Sequence, residues 1–342
     1  MFRCIELAKN GLGLTAPNPM VGCVIVKDNT IISEGYTSPY GGAHAEVNAI
    51  NAVKDKSLLL NATLYVTLEP CAHYGKTPPC VNLILKHKIP EVIIGIEDPN
   101  EKVAGKSIQL LKESGCKVRV GVLKNKCREH HKRFLSYQEK KRPYIILKWA
   151  VTKNGFIAPT EDLRDSSPQP FWISNTYAKQ LVHQWRAEEQ AILVGTNTVL
   201  ADNPKLNIRT WEGKNPVRLV IDRKLKIPKD SHIFDASVKT IIITNTHDVD
   251  KQVKGIDYEL TEFKNLAQEI CTILYKHEIN SVIIEGGTKT LQSFINDGLW
   301  DEARIFTGDA FFSEGILAPK ISGTQKSTKK LLSNTLTVLT ND

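Results

Sequence analysis

The sequence lacks the features that define several classes of protein. No apolar run approaches the roughly 20 residues that a membrane-spanning helix needs, and the first six residues contain no signal-peptide core. There is no low-complexity tract, and hydrophobic residues make up 41% and charged residues 24% of the chain, as in ordinary globular proteins. We therefore expect a cytoplasmic protein that has no membrane partner.

Cysteine is too sparse and too irregularly spaced to build a disulfide framework. The seven cysteines form an odd, scattered set, which indicates free thiols or metal ligands in a reducing compartment. Only Cys71 and Cys80 stand in a recognisable motif. The other five are expected to be buried packing thiols.

A charge bias is absent from most of the chain. The formal net charge is +8, and residues 1–142 carry 21 Lys and Arg against 13 Asp and Glu, whereas residues 143–342 carry 24 of each. A basic domain can attract anionic substrates or nucleic acid, but a modest excess on solvated faces is the commoner situation. Charge alone therefore leaves the partner open.

The length and the pattern of elements predict two domains. A chain of 342 residues exceeds the usual size of one domain, and strand and helix patterns alternate in both halves, which predicts two α/β domains. The run Lys140-Lys141-Arg142-Pro143 interrupts the patterns, because proline cannot continue a helix. We place the domains at residues 1–142 and 143–342. One helix is predicted over residues 126–139, and no closing strand is predicted after Pro319.

The sharpest signal in the first half is a set of metal-ligand residues. His44-Ala45-Glu46 begins a predicted helix, and Glu69-Pro70-Cys71 and then Cys80 follow a predicted strand. One imidazole and two thiolates give three tetrahedral zinc ligands and leave the fourth position for water, which is typical of a catalytic site. Glu46 is placed to move protons. Alternatives are a closed structural zinc with His73 as fourth ligand, or no metal.

The spacing of the two cysteines departs from the general zinc deaminase signature. That signature has Cys-x2-Cys after His-x-Glu, whereas this chain has Cys-x8-Cys. The inserted residues include His73 and Lys76, which are candidates for gripping a substrate phosphate. A solvated loop explains both side chains equally well.

The second half contains a glycine-rich turn between a strand and a helix. The predicted strand at residues 281–284 runs into Glu285-Gly286-Gly287, and an apolar-periodic helix follows. Glycines at such a turn let backbone N–H groups approach a phosphate, although tight turns also use glycine for steric reasons alone. Arg223 follows another predicted strand and is a candidate for a 2′-phosphate contact or for a solvated arginine.

Together these motifs resemble one enzyme family. His-Ala-Glu, the segment Thr-Leu-Glu-Pro-Cys-Ala-His-Tyr-Gly-Lys-Thr-Pro-Pro-Cys at residues 67–80 and Pro-Asn-Pro-Met-Val-Gly at residues 17–22 are similar to the bifunctional deaminase/reductase of riboflavin biosynthesis. In the second half, residues 147–150, 172–174, 185–187 and 195–204 are similar to the same family's reductase.

The resemblance implies a fold and a set of binding residues. It implies a cytidine-deaminase-like domain followed by a dihydrofolate-reductase-like domain, with Asn18 in the pyrimidine pocket. The implied NADPH contacts are Ala150, Trp172, Thr198, Asp202, Gly286, Gly287, Thr288, Lys289, Thr290 and Leu291. The implied contacts with the phosphorylated sugar are Arg186, Leu206, Arg209 and Glu285. For a lone arginine, a surface salt bridge is the commoner role.

The resemblance also implies two reactions, with Zn²⁺ and NADPH as cofactors. The first is hydrolytic deamination of 2,5-diamino-6-ribosylamino-4(3H)-pyrimidinone 5′-phosphate. The second is reduction of the ribosyl side chain to give 5-amino-6-(5-phosphoribitylamino)uracil. We expect a homo-oligomer acting on this small molecule and not on nucleic acid. The sequence shows no general acid for the reduction.

Two rival functions remain at this stage. A nucleic-acid deaminase with an accessory domain would suit the basic first half, but it normally keeps Cys-x2-Cys and needs aromatic stacking surfaces. A non-catalytic pyrimidine-nucleotide-binding regulator whose reductase half has decayed is the other. NADPH oxidation distinguishes this regulator from an enzyme.

Overall fold

The computed structural model describes residues 1–74, 78–100, 104–160 and 168–341. The chain divides into two compact units, Met1–Lys141 and Arg142–Asp342. The division falls one residue before the boundary expected from the sequence. The reason is Arg142, whose buried guanidinium donates to both carboxylate oxygens of Asp301 at 2.6 and 2.9 Å, so that this residue starts the second unit.

The first unit is a mixed sheet with helices packed against it. Its described helices are α1 (Phe2–Ala8), α2 (Ala45–Ala52), α3 (Cys80–Lys86), α4 (Lys106–Glu113), α5 (Lys124–His130) and α6 (Lys132–Lys140). Its described strands are β1 (Gly22–Lys27), β2 (Thr30–Tyr36), β3 (Thr63–Leu68), β4 (Glu91–Ile96) and β5 (Lys117–Val120).

These strands form a five-stranded sheet in the order β2-β1-β3-β4-β5. The sequence predicts a hairpin here, because the turn residues 27–29 separate two apolar runs. The structure confirms it: β1 and β2 are antiparallel, and Asp28 and Asn29 between them both have positive φ, as a tight hairpin turn requires. Strands β3, β4 and β5 are parallel, so their carboxyl ends meet at one edge of the sheet.

The predicted helix over residues 126–139 is wrong in one respect, because α5 and α6 are separate helices that meet at His131. That residue is buried, and its Nε2 lies 3.0 Å from the hydroxyl of Thr67.

The second unit is built on a larger sheet. Its described helices are α7 (Thr176–Glu188), α8 (Thr196–Asp202), α9 (Leu266–Lys276) and α10 (Thr288–Asn296). Its described strands are β6 (Tyr144–Val151), β7 (Phe156–Pro159), β8 (Ala191–Gly195), β9 (Val217–Ile221), β10 (Thr240–Thr244), β11 (Asp257–Leu260), β12 (Ser281–Ile284), β13 (Glu302–Thr307), β14 (Gly315–Leu317), β15 (Thr324–Leu331) and β16 (Asn334–Thr340).

Nine of these strands form one sheet in the order β11-β10-β9-β8-β12-β6-β13-β16-β15. The strands from β11 to β13 in that order are parallel, so the residues after them lie along one edge. Buried side chains cover both faces, as parallel sheets require. Adjacent strands β8 and β12 connect in opposite directions, β8 through α8 to β9 and β12 through α10 to β13. Such a switch point opens a crevice at the carboxyl ends of the two strands.

The expectation that no strand closes the chain after Pro319 is wrong. Strand β16 pairs antiparallel with β13, and β15 pairs with β16. The alternation of Leu336 and Val338 with threonines was a usable signal for β16. Strand β15 gave no such signal, because it lies at the edge of the sheet and its side chains are almost all exposed.

Among the described residues, no helix is long and apolar enough to cross a bilayer.

Candidate active sites

Three predicted ligands in the first unit converge, although they come from separate elements. His44 is the residue before α2, Cys71 follows β3, and Cys80 is the first residue of α3. The Nδ1 atom of His44 lies 3.5 Å from the Cys71 sulfur and 3.3 Å from the Cys80 sulfur, and all three donor atoms lie within 4.8 Å of one another. A tetrahedral Zn²⁺ with ordinary bond lengths sets nitrogen and sulfur ligands roughly 3.5 Å apart. The donor set and its spacing therefore fit zinc.

Neighbouring polar groups shift the pKa values of the Cys71 and Cys80 thiols in opposite directions. The backbone N–H of Cys80 donates to the Cys71 sulfur at 3.3 Å. The Cys80 thiol, with His44 as a further contributor, lowers the pKa of Cys71 to about 4 against the effect of burial. The same contact with Cys71, together with burial, raises the pKa of Cys80. The lowered pKa favours the thiolate form of Cys71, which is the form that binds a metal.

Glu46 lies on the first turn of α2 and is 3% exposed. Burial, followed by the charge of Cys71, raises its pKa to about 7. A carboxyl group with such a pKa exchanges protons readily near neutral pH, which suits a general acid and base. The start of α2 therefore places a ligand candidate, His44, two residues before a candidate proton carrier, Glu46.

Glu69, which the sequence analysis treated only as a neighbour of Cys71, anchors this site. Its carboxylate accepts hydrogen bonds from the Asp98 and Gly105 backbone N–H groups, at 3.2 and 3.0 Å, and from the Ser107 hydroxyl at 2.8 Å. The loop after β3 is thereby tied to the loop after β4. Burial raises the pKa of Asp98 to about 6, and the charges of Glu69 and Cys71 add to this effect. The missed signal in the sequence is Asp98-Pro99-Asn100, which begins two residues after the end of β4.

The remaining predicted residues of the first unit lie outside the ligand cluster. Asn18 is half-buried in the segment before β1, where its backbone N–H donates to the Thr15 carbonyl at 3.0 Å. His73 is exposed and does not belong to the converging group, so the described residues give no support to a closed site with His73 as a ligand. Lys76 lies outside the described residues.

In the second unit, the crevice between β8 and β12 brings the predicted glycine turn against a second glycine. Gly195 ends β8, and Gly286 and Gly287 follow β12. A Cβ atom at Gly195 would lie 2.9 Å from Thr290 Oγ1, and one at Gly286 would lie 2.9 Å from Thr290 Cβ. Both glycines are therefore required by packing. A Cβ at Gly287 would meet nothing closer than Thr198 Oγ1 at 4.0 Å, so that packing does not explain this glycine.

A charged cluster stands beside the same turn. Glu285 accepts a hydrogen bond from Arg186 Nη2 at 3.0 Å, and Lys148 Nζ lies 3.8 Å from the same carboxylate oxygen. Burial opposes ionisation of Glu285, but Arg186 and Lys148 outweigh it and lower the pKa of the carboxyl. Burial also lowers the pKa of Lys148. Lys148 was missed by the sequence analysis, although a lysine inside an apolar strand was a usable signal.

Two further residues complete this cluster. Burial, together with Arg186 and Arg209, lowers the pKa of His183 to about 4. Arg209 is exposed, and its Nη1 donates to the side-chain oxygen of Asn207 at 2.8 Å. His183 was not predicted as a site residue. Leu206, just before this segment, is buried and has a positive φ of 53°.

The other predicted cofactor residues are distributed around the crevice. Thr198 and Asp202 lie on α8, and Ala150 is half-buried on β6. Trp172 is exposed, with Lys179 Nζ 3.6 Å from its ring centroid. Arg223 follows β9 at the same edge, and its guanidinium lies 5.3 Å from the ring centroid of Phe263.

The helix after the glycine turn carries the last predicted contacts. The Thr288 hydroxyl donates to the Leu317 carbonyl, Lys289 is exposed, and Leu291 is buried in the core.

Comparisons with known proteins match both units. Residues 1–96 match the cytidine and deoxycytidylate deaminase zinc-binding region, and residues 143–334 match the RibD C-terminal domain. The chain is 39% identical to the riboflavin biosynthesis protein RibD of Actinobacillus pleuropneumoniae, covering 94% of this chain and 84% of that protein. It is 41% identical to RibD of Bacillus amyloliquefaciens, covering 94% and 86%.

Solved structures of related proteins match the whole chain as well. A diaminohydroxyphosphoribosylaminopyrimidine deaminase/5-amino-6-(5-phosphoribosylamino)uracil reductase from Thermotoga maritima superposes with a TM-score of 0.90 at 36% identity, covering 99% of this chain and 97% of that chain. Acinetobacter baumannii RibD superposes with a TM-score of 0.88 at 30% identity and the same coverage. The predicted fold class, a deaminase-like domain followed by a reductase domain, is confirmed. The chain belongs to the RibD family, the bifunctional deaminase/reductases of riboflavin biosynthesis.

Proposed function

We propose that His44, Cys71 and Cys80 bind one catalytic zinc ion and that Glu46 is the proton carrier of the deaminase. The observation that carries this proposal is the convergence of one imidazole nitrogen and two sulfurs beside a buried carboxyl group. When bound, zinc supplies Lewis-acid activation of water at neutral pH. Glu46 would carry one proton from that water to the ring nitrogen and then a second, from the hydroxyl formed at the ring carbon, to the amine, which leaves as ammonia.

The proposed deamination substrate is 2,5-diamino-6-ribosylamino-4(3H)-pyrimidinone 5′-phosphate. The solved relative from Thermotoga maritima is named for a deaminase of this kind of phosphoribosylaminopyrimidine. Asn18, with its amide, is proposed to hold the pyrimidine ring. His73 and Lys76 are proposed to contact the phosphate. Family membership favours this small molecule over nucleic acid as the partner.

We propose that NADPH binds at the carboxyl edge of the larger sheet, in the crevice between β8 and β12. Gly287 supports this location, because no contact with another described residue requires a glycine there and a close backbone approach by a phosphate does. Ala150, Trp172, Thr198, Asp202 and residues 286–291 are proposed to line the cofactor site. Arg223 follows β9 at the same edge and is proposed to pair with the 2′-phosphate, which gives preference over NADH.

The sugar phosphate is proposed to bind at Arg186, Leu206, Arg209 and Glu285. A guanidinium group donates charge-assisted hydrogen bonds to a phosphate or to hydroxyl oxygens, and the carboxylate of Glu285 accepts from hydroxyl groups. When bound, NADPH would supply a hydride for C1′ of the opened sugar. Lys148, whose Nζ lies 3.8 Å from a Glu285 carboxylate oxygen, is the candidate donor of the accompanying proton.

One experiment tests both halves on the intact chain. The diaminopyrimidine nucleotide is supplied with and without NADPH, while ammonia release and NADPH absorbance are followed. Ammonia without NADPH and oxidation with it are expected. Ammonia release with no NADPH oxidation would support the alternative of a decayed reductase half.

A cytoplasmic location and a homo-oligomeric state also belong to the proposal. Light scattering of the purified protein tests the oligomeric state.

A further inference from the structure

Three buried polar atoms without hydrogen-bond partners belong to one cluster in the second unit. They are His183 Nδ1, Arg186 Nε and Glu285 Oε1, and none of the three has a partner in the part of the chain that the structure describes. Arg186 binds Glu285 through another nitrogen, and His183 lies one helical turn before Arg186 on α7. His183 is 7% exposed. Buried polar atoms are nearly always paired, so three unpaired ones around one ion pair indicate a ligand that supplies the missing partners.

The chemistry of His183 identifies what its free atom can do. The backbone of Asn207 lies beside the imidazole and acts to raise its pKa, and the carbonyl of Asn207 accepts from Arg186 Nη1 at 3.3 Å. Since Nδ1 has no partner among the described residues, we place the ring proton on Nε2, toward that backbone. The burial and the neighbouring guanidinium groups keep the ring neutral at physiological pH. Nδ1 therefore carries a lone pair and can only accept a hydrogen bond.

The three free atoms together restrict the ligand. His183 Nδ1 and Glu285 Oε1 need donors, whereas Arg186 Nε needs an acceptor. A phosphate dianion cannot donate to two acceptors, so it does not satisfy this set. A chain of hydroxyl groups does, because each hydroxyl both donates and accepts. Arg209, which is exposed, remains available to a phosphate.

We propose that His183 is a specificity residue of the reductase, and that its Nδ1 accepts a hydrogen bond from a hydroxyl of the ribosyl side chain held by Glu285 and Arg186. This inference rests on the proposed reductase function and adds a substrate contact to it. The competing role is structural, in which His183 serves only to hold the backbone at Asn207 through Nε2. The two roles use opposite nitrogens of the ring and can therefore be separated.

A matched pair of variants of the full chain separates them. The short amide of His183→Asn can place its oxygen near the position of Nδ1, but it cannot reach Asn207. The longer amide of His183→Gln reaches the position of Nε2 and keeps the bond to Asn207, but it leaves Nδ1 unreplaced. We expect His183→Gln to raise KM for the deaminated ribosyl substrate about fivefold to tenfold with little change in kcat. His183→Asn should stay near the wild-type value.

The controls distinguish failure of this inference from failure of the proposed function. Ammonia release and KM for NADPH should not change in either variant. A wild-type protein that does not oxidise NADPH would remove the proposed function itself. A wild-type protein that does, with His183→Gln unchanged or with His183→Asn alone impaired, would overturn the role of Nδ1.

A second measurement decides the case in which both variants are impaired or less stable. Ribose 5-phosphate and its 2-deoxy and 3-deoxy analogues are compared as inhibitors of the reductase. The wild type should bind ribose 5-phosphate more tightly than one of the analogues, and His183→Gln should lose that preference. Equal discrimination by the wild type and by His183→Gln would overturn the proposal.

Discussion

The carboxylate of Glu69 accepts a hydrogen bond from the Ser107 hydroxyl at 2.8 Å, and both residues are buried. Two backbone N–H groups donate to the same carboxylate. Three donors thus converge on one group, two residues before the candidate ligand Cys71.

Glu69→Gln should destabilise the first unit by about 2 kcal/mol, because an amide places a donor where only donors converge. Ser107→Ala removes one of the three bonds and should cost about 1 kcal/mol. Thermal unfolding of the intact chain measures both. Reduction of the deaminated substrate serves as the control, since it belongs to the other unit. A Glu69→Gln protein that melts at the wild-type temperature would show that this convergence does not stabilise the fold.

The second prediction is that each chain binds one zinc ion and that the Cys71→Ser/Cys80→Ser double variant loses it. A hydroxyl group remains protonated at neutral pH and is a much poorer zinc ligand than a thiolate. Elemental analysis of purified protein measures the metal. Cys116→Ser is the matched control, because Cys116 is a buried free thiol outside the converging group and should leave the zinc content unchanged. Full metal retention by the double variant would contradict the assignment.

The third prediction is that Glu46→Gln keeps zinc but lowers the rate of deamination by roughly two to four orders of magnitude. The amide cannot carry protons, whereas the three candidate ligands are untouched. Ammonia release and metal content are measured on the same preparation. Reduction of the deaminated substrate should continue at the wild-type rate. Ammonia release near the wild-type rate would mean that another residue moves the protons.

The fourth prediction separates two adjacent glycines. Gly287→Ala should fold normally, because the added methyl group has room and the backbone has a φ of −63°. It should nevertheless raise KM for NADPH by about tenfold through a clash with the bound phosphate. Gly286→Ala should instead lower the unfolding temperature, since its methyl group would lie 2.9 Å from Thr290 Cβ. An unchanged KM for NADPH in Gly287→Ala would place the cofactor elsewhere.

The fifth prediction concerns the two exposed arginines proposed for different ligands. Arg209→Ala should raise KM for the phosphorylated sugar by roughly thirtyfold, the equivalent of about 2 kcal/mol for a charge-assisted pair. Arg223→Ala should instead raise KM for NADPH and leave KM for NADH unchanged. Each variant is the control for the other, and steady-state kinetics with both cofactors measures them. Interchanged effects would reverse the two assignments.

Local patterns in the sequence predicted a large part of this protein. Runs of β-branched residues bounded by turn residues predict strands over residues 63–68, 217–221, 240–244 and 281–284. Strands β3, β9, β10 and β12 begin and end at these residues. The predicted ligands His44, Cys71 and Cys80 converge. Their residue types and the elements that carry them could be read from the motifs directly.

Other features depended on the order of the strands, which no local pattern contains. Glu69 meets Ser107, 38 residues away, only because β3 and β4 are neighbours and parallel. His183 and Glu285 join one cluster only because the sheet order inserts β12 between β6 and β8. Sequence spacing determines which side chains share a helix face or a strand face. Contacts between distant elements, and the unpaired polar atoms that they leave in the crevice, arise from packing, which is decided by the tertiary structure as a whole.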